Sequence, residues 1–571
     1  MISVRRAAPW IVIAAIALGL RVYGLRYGLP AVYNPDEVAI MSRALAFAKG
    51  DLNPHNFVYP SFYFYVLFAW EGLTALAAVA TRAVASFGAF QREFFLDPTR
   101  VFVAGRLLTA LVGTATAIAT GALGAKLWGR PAGLFAAMFV AVSPLHVLNS
   151  HYVKHDVPVS LLVVLAYLSY WRLWHIGEPD LRPEGRSYLP LTIAAAITGA
   201  AFSTHYYAIF LAIPLAWSAA RGTANATDAI KRVALAAIVS AVVFFALSPF
   251  LLIEPQVAIR DMLANRQIVV VRAVESLGYV AGTARYGRLL LLDTMGWPAA
   301  ILGAAGVVIL LLREPVRVAW LLAFAVPFLL FIASTYPASR YLVTVVPFMA
   351  LCAAAACDAI RTRTELLGIA LFTFACASGI NESRVADGFI RHTDTRTLAK
   401  AFVESRIPGD TTILTQPYSV PLEASAASLQ EAVRRSGKEM PTKTRLQIER
   451  SPYPSPSYRL IYLGFGLDAD KLYLPVEQLG PDPIGAFRRE HVAFVVLKRY
   501  NESDPATLPF LAALAREGRR IAVFSPYRNA AEPGSGPQAV PFLHNTDTRI
   551  DRALERPGPV VEIWQIDGPR S

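Results

Sequence analysis

Two acidic sites in this chain follow long apolar segments, although they lie far apart in the sequence. The first is Asp36-Glu37, which comes after an apolar run and the turn-forming pair Asn34-Pro35. The second is Asp156, the last residue of a His-Tyr-Val-Lys-His-Asp run that begins at 151. A carboxylate can orient or deprotonate an attacking hydroxyl group. If both sites lie over one face of a membrane, they predict an enzyme that meets a lipid-borne substrate.

Each acidic site also has a purely structural interpretation. An Asp-Glu pair in a polar loop can simply be solvated. Asp156, followed by Val157-Pro158, is typical of a helix N-terminus, where aspartate caps free amide groups and proline is tolerated. Capping does not explain the neighbouring Lys154 and His155, so both remain candidate ligand-binding residues.

Arginines form the second candidate feature. Arg340-Tyr341 precedes a late apolar segment, and a separate loop is rich in arginine. That loop carries Arg260, Arg266, Arg272, Arg285 and Arg288. Guanidinium groups pair with phosphate oxygens through two hydrogen bonds, so a phosphate ligand is one interpretation. Contact with anionic lipid head groups or with solvent is the other.

A carboxylate base and phosphate-binding cations are together what sugar transfer from a lipid-phosphate donor requires. Direct displacement at the anomeric carbon, with Asp36 as general base, would invert that carbon. The departing phosphate monoester needs charge stabilisation rather than a proton. A divalent metal shared by Asp36, Glu37 and Asp156 is possible through their oxygen atoms, but the spacing does not demand one.

The elements that must position these residues are membrane spans. The 571 residues are 55% hydrophobic and only 17% charged, which is too apolar for a soluble protein of this size. The net charge of +13 does not indicate nucleic-acid binding, because basic residues cluster in short loops beside apolar segments, where they orient spans. Cys352, Cys357 and Cys376 lack CxxC spacing and are interpreted as small buried residues.

Eleven apolar segments predict spans in an α-helical polytopic membrane protein. They cover 8–27, 101–126, 131–150, 157–175, 188–204, 205–220, 233–252, 288–312, 316–334, 341–359 and 364–381. The basic short loops then share the side of the N-terminus, which we interpret as the cytoplasmic side of the cell inner (plasma) membrane. The candidate site residues share the outer side, partly in an acidic outer loop at 28–60 and an outer loop at 253–287.

Residues 60–82 are apolar enough to be a twelfth span. A span there would invert every later loop and put the basic loops outside. To keep the basic loops on one side, the chain must not cross the membrane at this segment. We therefore predict a juxtamembrane or re-entrant helix pair over about 61–98.

After the last predicted span, the composition becomes that of a soluble α/β domain. Residues 1–382 are predicted to form the transmembrane catalytic module and 383–571 the extracytoplasmic domain. The predicted strands are 411–415, 459–464, 492–498, 520–525 and 560–566. The predicted helices are 395–406, 421–435 and 507–517.

Two other functional classes remain open. A transporter or flippase of lipid-linked sugars would bury charges at mid-membrane and carry broken helices in matching halves. In this sequence the charges gather at one surface, and no inverted repeat is visible. An oligosaccharide ligase with a diphosphate donor is the second class, and its released lipid diphosphate would distinguish it.

Several motifs together resemble the GT-C membrane glycosyltransferases. They are RVYG at 21–24, NPDE at 34–37, YPSF at 59–62, GRLLTA at 105–110, GRPAGLFAA at 129–137, SPLH at 143–146, KHDVP at 154–158 and SRYLVTVVPF at 339–348. The resemblance covers most of 10–380. It is greatest to the bacterial branch of the dolichyl-phosphate-mannose protein mannosyltransferase superfamily, which also contains the lipid A aminoarabinose transferase.

This resemblance implies inverting transfer of a sugar from a polyprenyl-phosphate carrier to a hydroxyl-bearing glycan, lipid or protein acceptor in the cell envelope. It implies catalytic Asp36, a second outer-loop aspartate at Asp156, and Arg340-Tyr341 near the donor phosphate. The family's lysine after the first loop is absent here, where Val58-Tyr59-Pro60 stands, so His55 or Lys154 would replace it. A lysine is also common in the family where Thr204-His205 stands.

The site expectations are as follows. The catalytic candidates are Asp36, Glu37 and Asp156. The donor phosphate-binding candidates are Arg340, Tyr341, Lys154, His155, Arg285 and Arg288. The further pocket candidates are His55, Tyr59 and His205. The expected partners are the bilayer and the lipid-linked donor, with no cofactor assigned.

Overall fold

The computed structural model describes residues 4–176, 188–221, 223, 225–267, 278–335, 337–499, 508–528 and 548–566. These residues are mostly helical up to Arg406, and a sheet follows between Thr412 and Ile566. Arg272 and the middle of the predicted outer loop 253–287 lie outside the described residues.

The helical part contains nineteen α-helices among the described residues. They are α1 (Val4–Val22), α2 (Pro35–Ala46), α3 (Phe62–Ala80), α4 (Phe87–Leu96), α5 (Thr99–Trp128), α6 (Arg130–Ala141), α7 (Pro144–Asn149), α8 (Asp156–Ile176), α9 (Leu189–Phe202), α10 (Ala212–Ala220), α11 (Ala226–Leu247), α12 (Phe250–Ile253), α13 (Pro255–Arg266), α14 (Gly278–Leu292), α15 (Trp297–Arg313), α16 (Pro315–Leu322), α17 (Ala325–Ile332), α18 (Val346–Arg361) and α19 (Glu365–Arg391).

Five helical segments of the described chain are long and apolar enough to cross a membrane, and bent helix pairs raise the number to as many as seven. The bends are 105° between α14 and α15 and 46° between α16 and α17. The predicted helical architecture with several apolar helices is thereby confirmed, whereas the count of about eleven spans stays a prediction. Some predicted spans are shorter in the structure, because Ser143 caps a new helix at Pro144 and divides the segment 131–150 into α6 and α7.

The helix α3 occupies the segment that parity predicted not to span. By length and hydropathy alone it passes as a span. Residues before and after α3, however, both contact the C-terminal part of the chain. The hydroxyl groups of Tyr33, which precedes α3, and Thr397 form a hydrogen bond of 2.6 Å. The carbonyl oxygen of Leu96, which follows α3, accepts a hydrogen bond from Arg450 at 3.4 Å. Both flanks therefore lie on one side of the helical part, which favours the predicted helix pair over 61–98.

Small residues bring α5 and α6 into backbone contact. A Cβ atom added at Gly121 would lie 2.7 Å from the Gly133 carbonyl oxygen, and one added at Gly133 would lie 2.6 Å from the Gly121 oxygen. Such close approach is typical of helix packing in membranes, where dispersion rather than hydrophobic burial holds helices together. This contact fixes the direction in which the chain leaves α6 towards Lys154 and Asp156.

The C-terminal part, residues 394–566, contains one six-stranded sheet among the described residues. Its strands are β1 (Thr412–Thr415), β2 (Arg459–Leu463), β3 (Leu472–Leu474), β4 (Phe494–Arg499), β5 (Gly518–Phe524) and β6 (Val560–Ile566), in the order β3-β2-β1-β4-β6-β5. The first four pair in parallel, and β6 is antiparallel to β4 and β5. Its helices are α20 (Thr395–Arg406), α21 (Ala426–Ser436), α22 (Thr442–Ile448), α23 (Pro483–Arg489) and α24 (Leu508–Glu517).

The attachments of the C-terminal part to the helical part include two near its ends, besides the contacts of Thr397 with Tyr33 and of Arg450 with Leu96. The first is α19, which runs on to Arg391, so the predicted boundary at 382/383 falls inside a helix. The second is the segment after residue 547: the Thr548 amide and hydroxyl donate to the buried Asp293 carboxylate at 3.1 and 2.9 Å. This buried contact fastens the chain ahead of β6 to the end of α14.

Candidate active site

Asp36 lies in the first turn of α2. The helix begins there because Pro35 occupies a position where its missing N–H costs nothing, and because Asn34 caps the helix end. The Asn34 side-chain oxygen accepts a hydrogen bond from the Asp36 amide at 3.1 Å. The Asp36 side chain remains 22% exposed, so its carboxylate is held in position but accessible to a ligand.

Two cations hold the Asp36 carboxylate. Arg340 Nη1, on the 3-10 helix Ser339–Thr344, lies 2.5 Å from Asp36 Oδ2, and Lys154 Nζ lies 3.0 Å from the same oxygen. Burial lowers the pKa of Lys154, although Asp36 opposes the shift. Burial would also lower the pKa of Arg340, but Tyr341, whose ring centroid is 5.4 Å from the guanidinium, and other neighbours raise it above its usual value. The contacts of both groups with the Asp36 carboxylate show that their polar ends are placed to meet an anionic ligand.

Asp156 joins this group from the start of α8. Its residue is 6% exposed, and it interacts electrostatically with Arg340, Lys154 and Asp36. The structure thus brings the two acidic sites, which lie far apart in the sequence, close enough to interact with each other and with the same two cations. It favours the functional interpretation of Asp156 over that of a cap on an isolated helix.

Glu37 corrects the sequence prediction of a catalytic pair. Its fully buried carboxylate accepts two hydrogen bonds from Arg106, both at 2.9 Å. It also accepts hydrogen bonds from the Tyr27 hydroxyl at 2.8 Å and the Val153 amide at 3.0 Å. With four donors around it, this carboxylate is not accessible to a substrate. Glu37 instead fixes α2 against α5 and against the segment that carries Lys154.

An aromatic cluster lies against the cations. The His155 ring stacks on Tyr59 at 4.3 Å between ring centroids and meets the edges of Tyr63 and Phe64. His205 approaches Tyr59 edge-on at 5.2 Å. Burial lowers the pKa of His155 to about 3. This imidazole is therefore neutral at physiological pH, which argues against the predicted role of His155 as a phosphate-binding cation.

The neutral, stacked state of His155 is testable. We expect His155→Phe to retain donor binding within about threefold, because phenylalanine preserves the stacking area and no charge is lost. Donor binding by both proteins should show the same dependence between pH 5 and 8, since a pKa of about 3 keeps His155 uncharged throughout that range. Titration of undecaprenyl phosphate at several pH values measures this. A selective loss in the variant below pH 6.5 would show that the imidazolium binds the donor.

Three predicted residues are not brought to Asp36. His55 Nε2 pairs with Asp51 at 2.7 Å, and both side chains are more than half exposed, at 63% and 57%. Arg285 and Arg288 are exposed on α14, because the helical repeat turns the other face, with Tyr286, towards Ala338. Their exposed positions argue against the phosphate contacts predicted for them, whereas Lys154 contacts Asp36 and is the candidate to replace the missing lysine.

Two site arginines were missed by the sequence prediction. Arg43 is partly buried on α2, one heptad after Asp36, and interacts electrostatically with Tyr59, Asp261 and Asp36. Arg106 is fully buried inside an apolar segment. The sequence could have indicated Arg106, because a charged residue inside a predicted membrane span is expected to pair with a group of opposite charge. Within the described part of the chain, no three His, Cys, Asp or Glu side chains form a metal-ligand group.

Solved structures similar to this chain include those of two proteins. ArnT from Cupriavidus metallidurans bound to undecaprenyl phosphate aligns at 13% identity over 99% of this chain and 100% of its own, with a TM-score of 0.52. The apo form of the same enzyme aligns at 14% identity with a TM-score of 0.50. The Archaeoglobus fulgidus oligosaccharyltransferase AglB, in complex with an inhibitory peptide and a dolichol-phosphate, aligns at 12% identity over 86% of this chain and 69% of its own, with a TM-score of 0.49.

The fold of the chain is therefore similar to that of ArnT, and in this fold the carboxylate of Asp36 contacts the cations Arg340 and Lys154. Residues 88–257 match the family model described as dolichyl-phosphate-mannose-protein mannosyltransferase, and over that segment the resemblance inferred from the motifs is confirmed. Lys154 and Asp156 lie inside the matched segment, and Asp36 precedes it. No curated protein sequence matches the chain.

Proposed function

We propose that the chain transfers a sugar from a polyprenyl-phosphate carrier to a hydroxyl-bearing acceptor with inversion at the anomeric carbon. The observation that carries this proposal is the placement of one Asp36 carboxylate oxygen between Arg340 and Lys154, at 2.5 and 3.0 Å. A displacement with a phosphate leaving group needs a base near the attacking hydroxyl and cations near the phosphate, and these three side chains are in direct contact.

The donor phosphate would compete with Asp36 for the two cations. Once phosphate oxygens pair with Arg340 and Lys154, the Asp36 carboxylate is released to accept the proton of the acceptor hydroxyl. The acceptor oxygen then forms its bond to the anomeric carbon as the bond from that carbon to the phosphate oxygen breaks. The leaving polyprenyl phosphate keeps the bonding electrons, and the cations stabilise its added charge.

The relatives support this donor class. The ArnT structure contains undecaprenyl phosphate and the AglB structure a dolichol-phosphate. For this chain we infer residence in the bacterial inner membrane, a cytoplasmic N-terminus and about eleven spans. We infer a catalytic module over residues 1–391 and an extracytoplasmic domain formed by the C-terminal part.

The rival classes are less well supported. A transporter or flippase would need charges along a path at mid-membrane, whereas the ion pairs of Asp36 join segments outside the long apolar helices. A diphosphate-donor ligase would use similar groups, so only the lipid product that is released distinguishes it from the proposed enzyme.

Purified protein supplied with labelled undecaprenyl-phosphate sugar and envelope membranes should release undecaprenyl monophosphate. Release of a diphosphate, or movement of the lipid without sugar transfer, would overturn the proposal.

Arg340 should contribute most of the donor affinity. We expect Arg340→Ala to weaken undecaprenyl phosphate binding about 10- to 100-fold, since a hydrogen bond to a charged group contributes about 1.5–3 kcal/mol. Arg340→Lys should recover only part of the affinity, because an ammonium group cannot pair with two phosphate oxygens in a planar arrangement. Arg285→Ala is the matched control and should bind like the unmodified protein. Equal binding by all three variants would remove Arg340 from the donor site.

A further inference from the structure

The most exposed large apolar side chains described in the C-terminal part lie together in one loop. They are Phe465 and Leu467, at 79% and 74% exposure, in the segment 464–471 between β2 and β3. We name this segment the apolar loop. Leu312 on the apolar helix α15 is similarly exposed, at 81%, but lipid tails cover such a side chain on a membrane helix. The exposure of the apolar loop needs another explanation.

The backbone of the apolar loop is held in shape by the protein. Gly464 adopts a φ of +108°, and a Cβ atom at Gly466 would collide with the Tyr473 ring, so glycine is required at both positions. The Lys438 ammonium group donates a hydrogen bond to the Leu467 carbonyl oxygen at 2.6 Å. A loop fixed in this way presents its two exposed side chains to a partner at little cost in conformational entropy.

The direction of the strands places the apolar loop on the side that faces the helical part. Strands β1 and β2 are parallel, so the chain leaves both of them at the same edge of the sheet. Just after β1, the Tyr418 carbonyl oxygen accepts a hydrogen bond from Arg396 at 3.4 Å. The Arg396 guanidinium lies 3.9 Å from the ring of Tyr33 in the helical part. The edge at which β2 ends therefore faces the helical part as well.

Helix α22 connects the apolar loop with the level of the membrane surface. Lys443 on α22 pairs with Asp470 of the loop at 3.4 Å. On its other side α22 contacts α4, and Arg450, just after α22, donates to the carbonyl oxygen of Leu96 at the end of α4. Helix α4 is rich in phenylalanine and belongs to the predicted helix pair at the membrane surface. The apolar loop therefore lies one helix away from that surface.

The charges around the apolar loop allow contact with anionic lipids. Its two carboxylates are paired with lysines, Asp468 with Lys471 at 2.6 Å and Asp470 with Lys443 at 3.4 Å. Lys438 has no carboxylate partner among the described contacts, so it adds a positive charge. A basic residue beside exposed apolar side chains suits the head-group region of a phospholipid membrane.

We propose that the apolar loop binds the phospholipid surface of the membrane that the helical part crosses. Phe465 and Leu467 enter the head-group region, where aromatic side chains are favoured, and Lys438 lies at the level of the lipid phosphates. The partner is lipid rather than a second protein, because the loop is on the side of the C-terminal part that faces the membrane. This inference does not depend on the proposed sugar transfer, since it concerns only the contact between the C-terminal part and lipid.

A nitroxide spin label at Phe465 tests the contact. The full-length Phe465→Cys protein is labelled and reconstituted in vesicles of phosphatidylethanolamine and phosphatidylglycerol. Collisions of the label with oxygen, which concentrates in the bilayer, are compared with collisions with a water-soluble nickel chelate. We expect a ratio of oxygen to nickel collisions about threefold or more above that of a label at Ser405→Cys. Ser405 is exposed in the last turn of α20, at the opposite edge of the sheet.

Two controls accompany this measurement. The unmodified protein carried through the same labelling gives the background, because its three cysteines, Cys352, Cys357 and Cys376, are buried. Leu467→Cys, labelled in the same way, should give the same high ratio as Phe465→Cys, so the result does not depend on one variant. Ratios at both loop positions equal to that at Ser405 would overturn the inference. Labels shielded from both reagents would also overturn it, because they would lie in a contact with another protein.

Discussion

Replacement of Asp36 by asparagine should lower sugar transfer by about 10² to 10⁴ while donor binding persists. Asparagine keeps the size of the side chain but cannot accept the proton of an acceptor hydroxyl. The donor should bind as well as before or better, because the substitution removes the carboxylate that competes with phosphate for Arg340 and Lys154. The two measurements are initial transfer rates from labelled undecaprenyl-phosphate sugar and equilibrium binding of undecaprenyl phosphate.

Asp51→Asn is the matched control for this prediction. Asp51 lies in the same outer loop, is 57% exposed and pairs only with groups of its own segment among its described contacts. The Asp51→Asn variant should therefore transfer sugar at the rate of the unmodified protein. Near-normal transfer by Asp36→Asn would remove the base assignment, and simultaneous loss of transfer and donor binding would assign Asp36 to the structure of the site rather than to proton transfer.

The second large effect concerns the buried pair of Glu37 and Arg106. We expect Glu37→Gln to lower the free energy of unfolding by about 3–5 kcal/mol, because it leaves the Arg106 charge buried without its partner. Transfer should fall together with the folded fraction, since the Val153 amide loses its charged acceptor next to Lys154. Thermal unfolding of the solubilised protein, followed by tryptophan fluorescence, measures the change.

Two further variants separate the buried charge from a general effect of losing a salt bridge. Glu517→Gln breaks a half-exposed pair with Arg488 and should cost less than about 1 kcal/mol. The double variant Glu37→Leu with Arg106→Met removes both charges and should recover part of the loss. A Glu37→Gln protein that unfolds at the unmodified temperature would contradict the positioning role given to this carboxylate.

The sequence predicted the C-terminal sheet better than the helical part. Five of its six strands are short runs rich in β-branched and other apolar residues that the sequence analysis located, and only β3, with three residues, was missed. In the helical part, hydropathy located the apolar segments but not their breaks. The bend between α14 and α15 lies within residues 293–296, where Asp293, Thr294 and Gly296 interrupt the apolar run but the predicted span 288–312 continued through them.

At the site, residue type predicted which groups come together but not which of two neighbours reacts. The convergence of Asp36, Asp156 and Arg340 followed from placing them on one side of the membrane. The different roles of Asp36 and Glu37 could not be predicted in this way. Successive side chains of a helix point about 100° apart, so the environment of each depends on its own tertiary partner. Glu37 meets Arg106 inside the helical part, whereas Asp36 remains accessible.

The double attachment of the C-terminal part, through α19 and through Thr548 on Asp293, limits how it moves. A body joined by one linker can rotate about a single hinge, but the contacts of Thr548 with Asp293, of Thr397 with Tyr33 and of Arg450 with Leu96 oppose such a rotation about α19. Asp394 and Arg396 follow directly after α19, so they stay beside the helical part even when the far strands of the sheet tilt.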